Sequence, residues 1–283
     1  MLRPAFSTVA CPDWTLERIA QAAAEFRFDG VELRTLGFGP TDLAGDPSLT
    51  DPAKTQELFA SRGVEIACLG TSVRFDAPVF PPVLGYALPM RFAAVNQARR
   101  AVELASRMRC PYIRVFGFEV PKRENKRSAL NRIADRLTMV CDHARHREVK
   151  VLIENGASYP GAADIAEIIA KVNHPLLFAS VDLASAHAIG EDPADAARIL
   201  GDRIKLARIK DLDAGRPCPL GHGDLPCREF VTALSRANID AWLVYTWDKA
   251  WIPDLAPPER ILPEAAQKLW EWIAPAAHNH AAA

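Results

Sequence analysis

The feature that most constrains this chain is a repeated alternation of short β-type runs with helical segments. Apolar or β-branched runs lie at residues 5–10, 30–34, 64–70, 112–116, 150–154, 178–182, 204–209 and 242–247. Between them the apolar period changes. Leu130, Ile133, Leu137 and Val140 recur every three or four residues, as do Ile165, Ile168, Ile169 and Val172, and Leu16, Ile19, Ala20 and Ala23. Each set makes one apolar stripe on a helix. Asp13 and Thr15 before the first helix, and Asp164 at the start of another, suit capping or first-turn positions. Strand followed by helix, repeated, implies βαβ units and a parallel sheet. Eight strands is the number that a closed α/β barrel, the (β/α)8 TIM barrel, requires. An open doubly wound sheet is the alternative, disfavoured by the strand count and by the lack of a Gly-rich dinucleotide turn.

Size and composition agree. The chain has 283 residues, 49% of them hydrophobic, against roughly 250 for a typical barrel. One domain over residues 1–274 is expected, with 275–283 as a frayed tail in which His278 and His280 are incidental. A formal net charge of −1 argues against nucleic acid as a partner, since such proteins carry a basic excess or stripe. The basic run from Lys122 to Arg127 reads as a solvated helix entry, with anion or partner contact as the alternative. The six cysteines are scattered and form no CxxC pair, which suggests buried thiols in a reducing compartment. Without a signal-type leader or an apolar stretch of roughly 18 residues, the expectation is a cytoplasmic protein with no membrane partner.

Two loops break the rhythm, at residues 34–50 and 74–89. Both follow strands, at the end of a barrel where active sites are built. Polar residues at strand ends project into that mouth: Glu32, Arg34, Ser72, Arg74, Arg114, Glu154, Asp182, Arg208, Lys210, Thr246 and Asp248. Charged groups there are costly to bury unpaired, and so many at equivalent positions suggest one shared polar site.

The segments FDGVELR, VLIENGASY, SVDLASAHAIGEDP, RIKLARIKD, LGHGDLP and WLVYTWDKAWIPDLAPPE resemble, in order, the motifs of the xylose-isomerase-like superfamily of sugar isomerases and epimerases. The resemblance runs from Phe28 to Glu259. It implies a divalent cation at the barrel mouth (Mn, Mg, Zn or Co), held by a Glu on the fifth strand, an acid on the sixth, a His on the seventh and a Glu on the eighth. Glu154 matches the first position and Asp182 the second, while Lys210 and Asp211 match the rest of the seventh-strand motif.

The departures weaken the cation site. Arg208 stands for the His and Thr246 for the eighth-strand Glu, Ser185 stands for a His or Asn with His187 two residues on, and His222 replaces a Glu in the Gly221–Gly223 turn. Arginine stays cationic and has no lone pair for a metal. Between two carboxylates it would repel a cation and take over its electrostatic role. The expectation is therefore a cation absent or weakly bound. The alternative, a cation on Glu154, Asp182 and waters, stays open.

The resemblance then implies proton transfer on a small carbohydrate or sugar acid. Glu154, Arg208 and Lys210 are the catalytic candidates, and Glu32, Arg114, Thr246, Trp247 and His187 the substrate-binding ones. Arg208 is also a candidate grip for a substrate carboxylate. Asp248 could supply an acid if its strand reaches that far, and the Gly221–Gly223 turn is an anion-site candidate. The other reading is a non-catalytic metabolite-binding or partner protein on a degenerate barrel. The resemblance also leaves room for a homo-oligomer.

Overall fold

A computed structural model describes residues 1–35, 43–77, 92–122 and 124–277. Eight parallel strands close into a barrel: β1 (Leu2–Ser7), β2 (Gly30–Arg34), β3 (Glu65–Arg74), β4 (Tyr112–Phe116), β5 (Lys150–Glu154), β6 (Leu177–Asp182), β7 (Ile204–Ile209) and β10 (Ala241–Tyr245). Closure is explicit, because β1 pairs with both β2 and β10. The open-sheet alternative is excluded. Two further strands, β8 (Asp211–Asp213) and β9 (Arg216–Cys218), form a small antiparallel hairpin after β7.

The helices are α1 (Leu16–Glu25), α2 (Pro52–Ala60), α3 (Ala93–Arg107), α4 (Lys126–Ala144), α5 (Ala162–Val172), α6 (Leu183–His187), α7 (Asp195–Leu200), α8 (Cys227–Arg236) and α9 (Pro258–Ala277). Apolar stripes set their orientation: Leu130, Ile133, Leu137 and Val140 of α4 are all buried. Thr15 caps α1, accepting from the Arg18 N–H at 3.4 Å, and Asp164 accepts the Gly161 N–H at the start of α5. Lys126 does open a helix, capped by Asn125. The last helix runs to Ala277, past the expected end at 274. His278 and His280 lie outside the described residues, as do residues 36–42 and 78–91 of the two long loops.

The interior has two apolar bodies. Most buried residues fill the shell between strands and helices. A smaller plug of Ala5, Ala67, Cys68, Leu152, Leu206, Trp242 and Val244, with Tyr112 and Phe178 packed against it, fills the inside of the barrel. Side chains alternate along a strand, so residues two positions beyond plug members also face the barrel axis. Thus Arg114 follows Tyr112, Glu154 follows Leu152, Ser180 and Asp182 follow Phe178, Arg208 and Lys210 follow Leu206, and Thr246 follows Val244.

Three strands differ from expectation at their C-terminal ends. β1 ends at Ser7, and Thr8–Ala10 form a 3-10 turn. All three residues are buried there, and an apolar run does not by itself distinguish an extended chain from a buried turn. β3 continues to Arg74, with a register shift against β4 between Gly70 and Arg74. β10 ends at Tyr245, although the Thr246 N–H still donates to the Ile209 carbonyl at 2.9 Å.

Candidate active site

The interior-facing polar residues converge at the C-terminal end of the barrel. Glu32, fully buried on β2, is the hub. Its Oε1 accepts from Arg114 Nε at 2.9 Å and its Oε2 from Arg208 Nη1 at 2.7 Å. Arg114 Nη1 also donates to Glu154 Oε1 at 2.8 Å. The other oxygen, Glu154 Oε2, accepts from Ser180 Oγ at 2.8 Å. Arg208 Nε lies 3.6 Å from Glu154 Oε2 and 3.9 Å from Asp182 Oδ2. Two guanidiniums are thus threaded through three carboxylates.

Local structure holds each group. Asn155, following β5, fixes the end of β6: its Oδ1 accepts the Asp182 N–H at 2.6 Å and its Nδ2 donates to the Asp182 carbonyl at 3.1 Å. The Asp182 carboxylate accepts the Ser185 N–H at 2.8 Å, capping α6. Arg34 ends β2, where its N–H donates to Thr8 Oγ1 at 2.9 Å and its Nη1 to the Thr71 carbonyl at 3.1 Å. Lys210 donates to Asp248 Oδ2 at 2.7 Å, so Asp248 reaches the mouth although its residue lies in a 3-10 turn beyond β10.

The charge states follow from this packing. Burial pushes the Glu32 carboxyl up, but Arg114, Arg208 and Arg34 outweigh it and hold the group well below the usual carboxylate range. Burial opposes the charge of Arg208, yet Glu32, Glu154 and Asp182 push its pKa above the ordinary arginine value. Arg34 moves the other way: burial and the neighbouring Arg114 pull it down to about 9.

Of the expected site residues, Glu32, Arg114, Glu154, Asp182 and Arg208 come together directly. Lys210 and the buried Thr246 stand on the adjoining wall. Trp247 is not among them. It faces the outer shell beside Tyr245, and its indole N–H donates to the Ala256 carbonyl at 3.0 Å. His187 is exposed at the end of α6 and makes no side-chain hydrogen bond with the cluster among the described residues. Ser72 and Arg74 lie beyond the register shift of β3 and are exposed, Arg74 pairing with Asp76. The N–H groups of Gly221 and Gly223 already donate to Asp211 Oδ2, at 2.8 and 3.0 Å, so this turn serves an internal anion. Ser180, Asn155 and Gly70 went unnoticed in the sequence. Ser180 alone carried a signal, its inward parity with Phe178 and Asp182.

A divalent cation needs several lone pairs converging on one point. Here the Glu154 and Asp182 oxygens face the Nε of Arg208. Among the described residues no three His, Cys, Asp or Glu side chains converge as a ligand set. The residues do not fit the four-ligand cation site that the resemblance implies.

The chain matches the family described as xylose isomerase-like TIM barrel over residues 20–273. It belongs to that family. No curated protein matches it. Solved structures of the same architecture do. L-ribulose 3-epimerase superposes with a TM-score of 0.81 at 16% identity, covering 99% of this chain and 97% of that one. D-allulose 3-epimerase from Methylomonas sp. gives 0.75 at 17% identity, over 96% and 98%. The IolI protein with a bound zinc atom gives 0.77 at 14%, also over 96% and 98%. At these identities the likeness is one of fold. Among the described residues no helix is long and apolar enough to cross a membrane.

Proposed function

We propose that this protein is an enzyme of the sugar isomerase and epimerase kind that moves a proton on a small polyhydroxy or keto/acid substrate, with no resident divalent cation. The observation that carries the reading is the position of Arg208, a fixed positive side chain 3.6 Å from Glu154 and 3.9 Å from Asp182. Family membership and the epimerase neighbours support the reaction class.

In this reading a carboxylate takes the proton from a carbon next to a carbonyl. The C–H electron pair moves onto the carbonyl oxygen, and Arg208 and Lys210 stabilise the enolate. Return of the proton to the same carbon from the opposite face gives an epimer. Delivery to the former carbonyl carbon, as the adjacent hydroxyl gives up its proton, gives an isomer. Asp182 is the reachable carboxylate, its side chain 17% exposed, whereas Glu32 is fully buried and acts as a positioning residue. Glu154, steadied by Arg114 and Ser180, completes the acid–base set.

The other reading, a metabolite-binding barrel without turnover, is favoured by one observation: both Glu154 oxygens already accept hydrogen bonds. One experiment separates them. The protein is incubated in D2O with ketoses, aldoses and sugar acids, and carbon-bound deuterium is followed by NMR, alongside elemental analysis. The enzyme reading expects exchange that EDTA leaves unchanged and that Asp182→Asn lowers by roughly 10²- to 10⁴-fold. Binding with no exchange selects the second reading. A stoichiometric metal required for exchange overturns the cation-free site.

A further inference from the structure

Arg34 is the odd member of the cluster. Arg114 contacts two carboxylates and Arg208 contacts Glu32 with Glu154 and Asp182 near by. Arg34 is only 6% exposed, yet no carboxylate among the described residues stands within ion-pair distance of it. Its Nη1 donates to the Thr71 carbonyl, and its Nε has no hydrogen-bond partner among the described residues. A buried cation without a contact partner is among the costliest arrangements in a protein interior.

A second idle donor lies across the wall. In the ladder Arg34 pairs with Gly70, and Gly70 pairs with Arg114. Arg114 Nη2 is likewise buried and has no hydrogen-bond partner among the described residues. The residue between the two arginines therefore has no side chain. Arg208, the sequence-based candidate for gripping a carboxylate, has its Nη1 committed to Glu32.

The geometry points to an anion subsite formed by Arg34 and Arg114 at the mouth end of β2, which receives the carboxylate of a small polyhydroxy monocarboxylic acid. This names the substrate class of the site proposed above and rests on that reading for the chemistry that follows binding. A guanidinium presents a planar fork that matches two carboxylate oxygens. Three guanidiniums, Arg34, Arg114 and Arg208, already face three carboxylates, Glu32, Glu154 and Asp182, so each negative charge a ligand brings adds repulsion and a monoanion costs less than a phosphate dianion.

The test uses probes that differ only at one terminal carbon: D-gluconate against D-sorbitol and D-glycerate against glycerol, with D-sorbitol 1-phosphate as the phosphate arm. Binding is measured by calorimetry and thermal shift on the full chain. At least one acid is expected to bind about tenfold or more tightly than its neutral partner, and Arg34→Gln to remove that preference. A second variant, Arg34→Met, guards against a folding artefact. It should melt at or above the wild-type temperature while losing the preference, because it removes a buried charge that lacks a contact partner. Equal binding of acids and neutral polyols, no binding by either acid, a preference for the phosphate, or a preference that survives Arg34→Gln each overturns the subsite. Failure of the proton-transfer reading is separable, since it shows as acid binding without deuterium uptake.

Discussion

The Glu32 carboxylate occupies the space that a side chain on Gly70 would fill. A Cβ at that position would collide with Glu32 Oε1 and come within 2.7 Å of Arg34 Cδ. The hub of the charged cluster therefore depends on a missing methyl group in the neighbouring strand. Gly70→Ala should lower stability by about 1–3 kcal/mol through overpacking. It should also disturb ligand binding more than an alanine elsewhere on β3. Urea unfolding and calorimetry check this, and an unchanged unfolding midpoint would refute it.

Removing Arg208 should cost more than its single contact suggests. Arg208→Met leaves Glu32 with one fewer contact cation and takes away the positive group between Glu154 and Asp182. Breaking a buried pair from one side typically costs about 3–5 kcal/mol. Denaturant unfolding at neutral pH is expected to show a loss of that size. Partial rescue by Arg208→Lys would separate charge from fork geometry.

Glu32 also makes a prediction about acid. Its folded pKa lies below the ordinary carboxylate value, so below about pH 5 the unfolded chain takes up this proton first. Its contribution to stability is complete above that range and is lost as pH falls toward the folded value. Glu32→Gln should be less stable than wild type at neutral pH, and the gap should narrow as the solution is acidified. Unfolding curves between about pH 3 and 7 would show the convergence; parallel curves would refute the assignment.

The thiols should be inert in the native state. Burial pushes Cys110 and Cys141 up to about 12 and Cys218 up to about 11. Cys218, on the β8–β9 hairpin, is the one that is not fully buried. Iodoacetamide at neutral pH followed by mass spectrometry should label Cys218 first and the others only on unfolding. Rapid labelling of Cys68 would contradict the closed barrel interior.

The barrel was legible because strand and helix periods differ and eight strand runs recur in order. Position at the ends of successive strand runs then put Glu32, Arg114, Glu154, Asp182 and Arg208 at one barrel mouth. What stayed hidden has local causes. Trp247 is a substrate-binding candidate from sequence, yet the chain leaves the β10 ladder after Tyr245 and the indole faces the outer shell. His187 belongs to a short helix whose first turn is set by the Asp182 cap, which leaves the ring at the exposed end. The hairpin carried one signal, Gly215, but its turn also places Ala214 at φ 47°, a conformation that alanine seldom adopts. The role of Asp211 as clamp for Gly221, Gly223 and Leu225 joins residues that no short spacing pattern links.

Barrel closure sets the first barrel strand beside the last, β1 against β10. A ribosome therefore releases β1 long before its last neighbour exists, and β7 also waits for β10 with an open edge. Arg208 meets Glu32 across 176 positions of sequence, so the hub carboxylate must stay hydrated until the second half of the chain arrives. Chains that end before residue 241 would expose two unpaired edges and strip β10 from the wall beside this charge network, leaving them prone to aggregation rather than folded as smaller barrels.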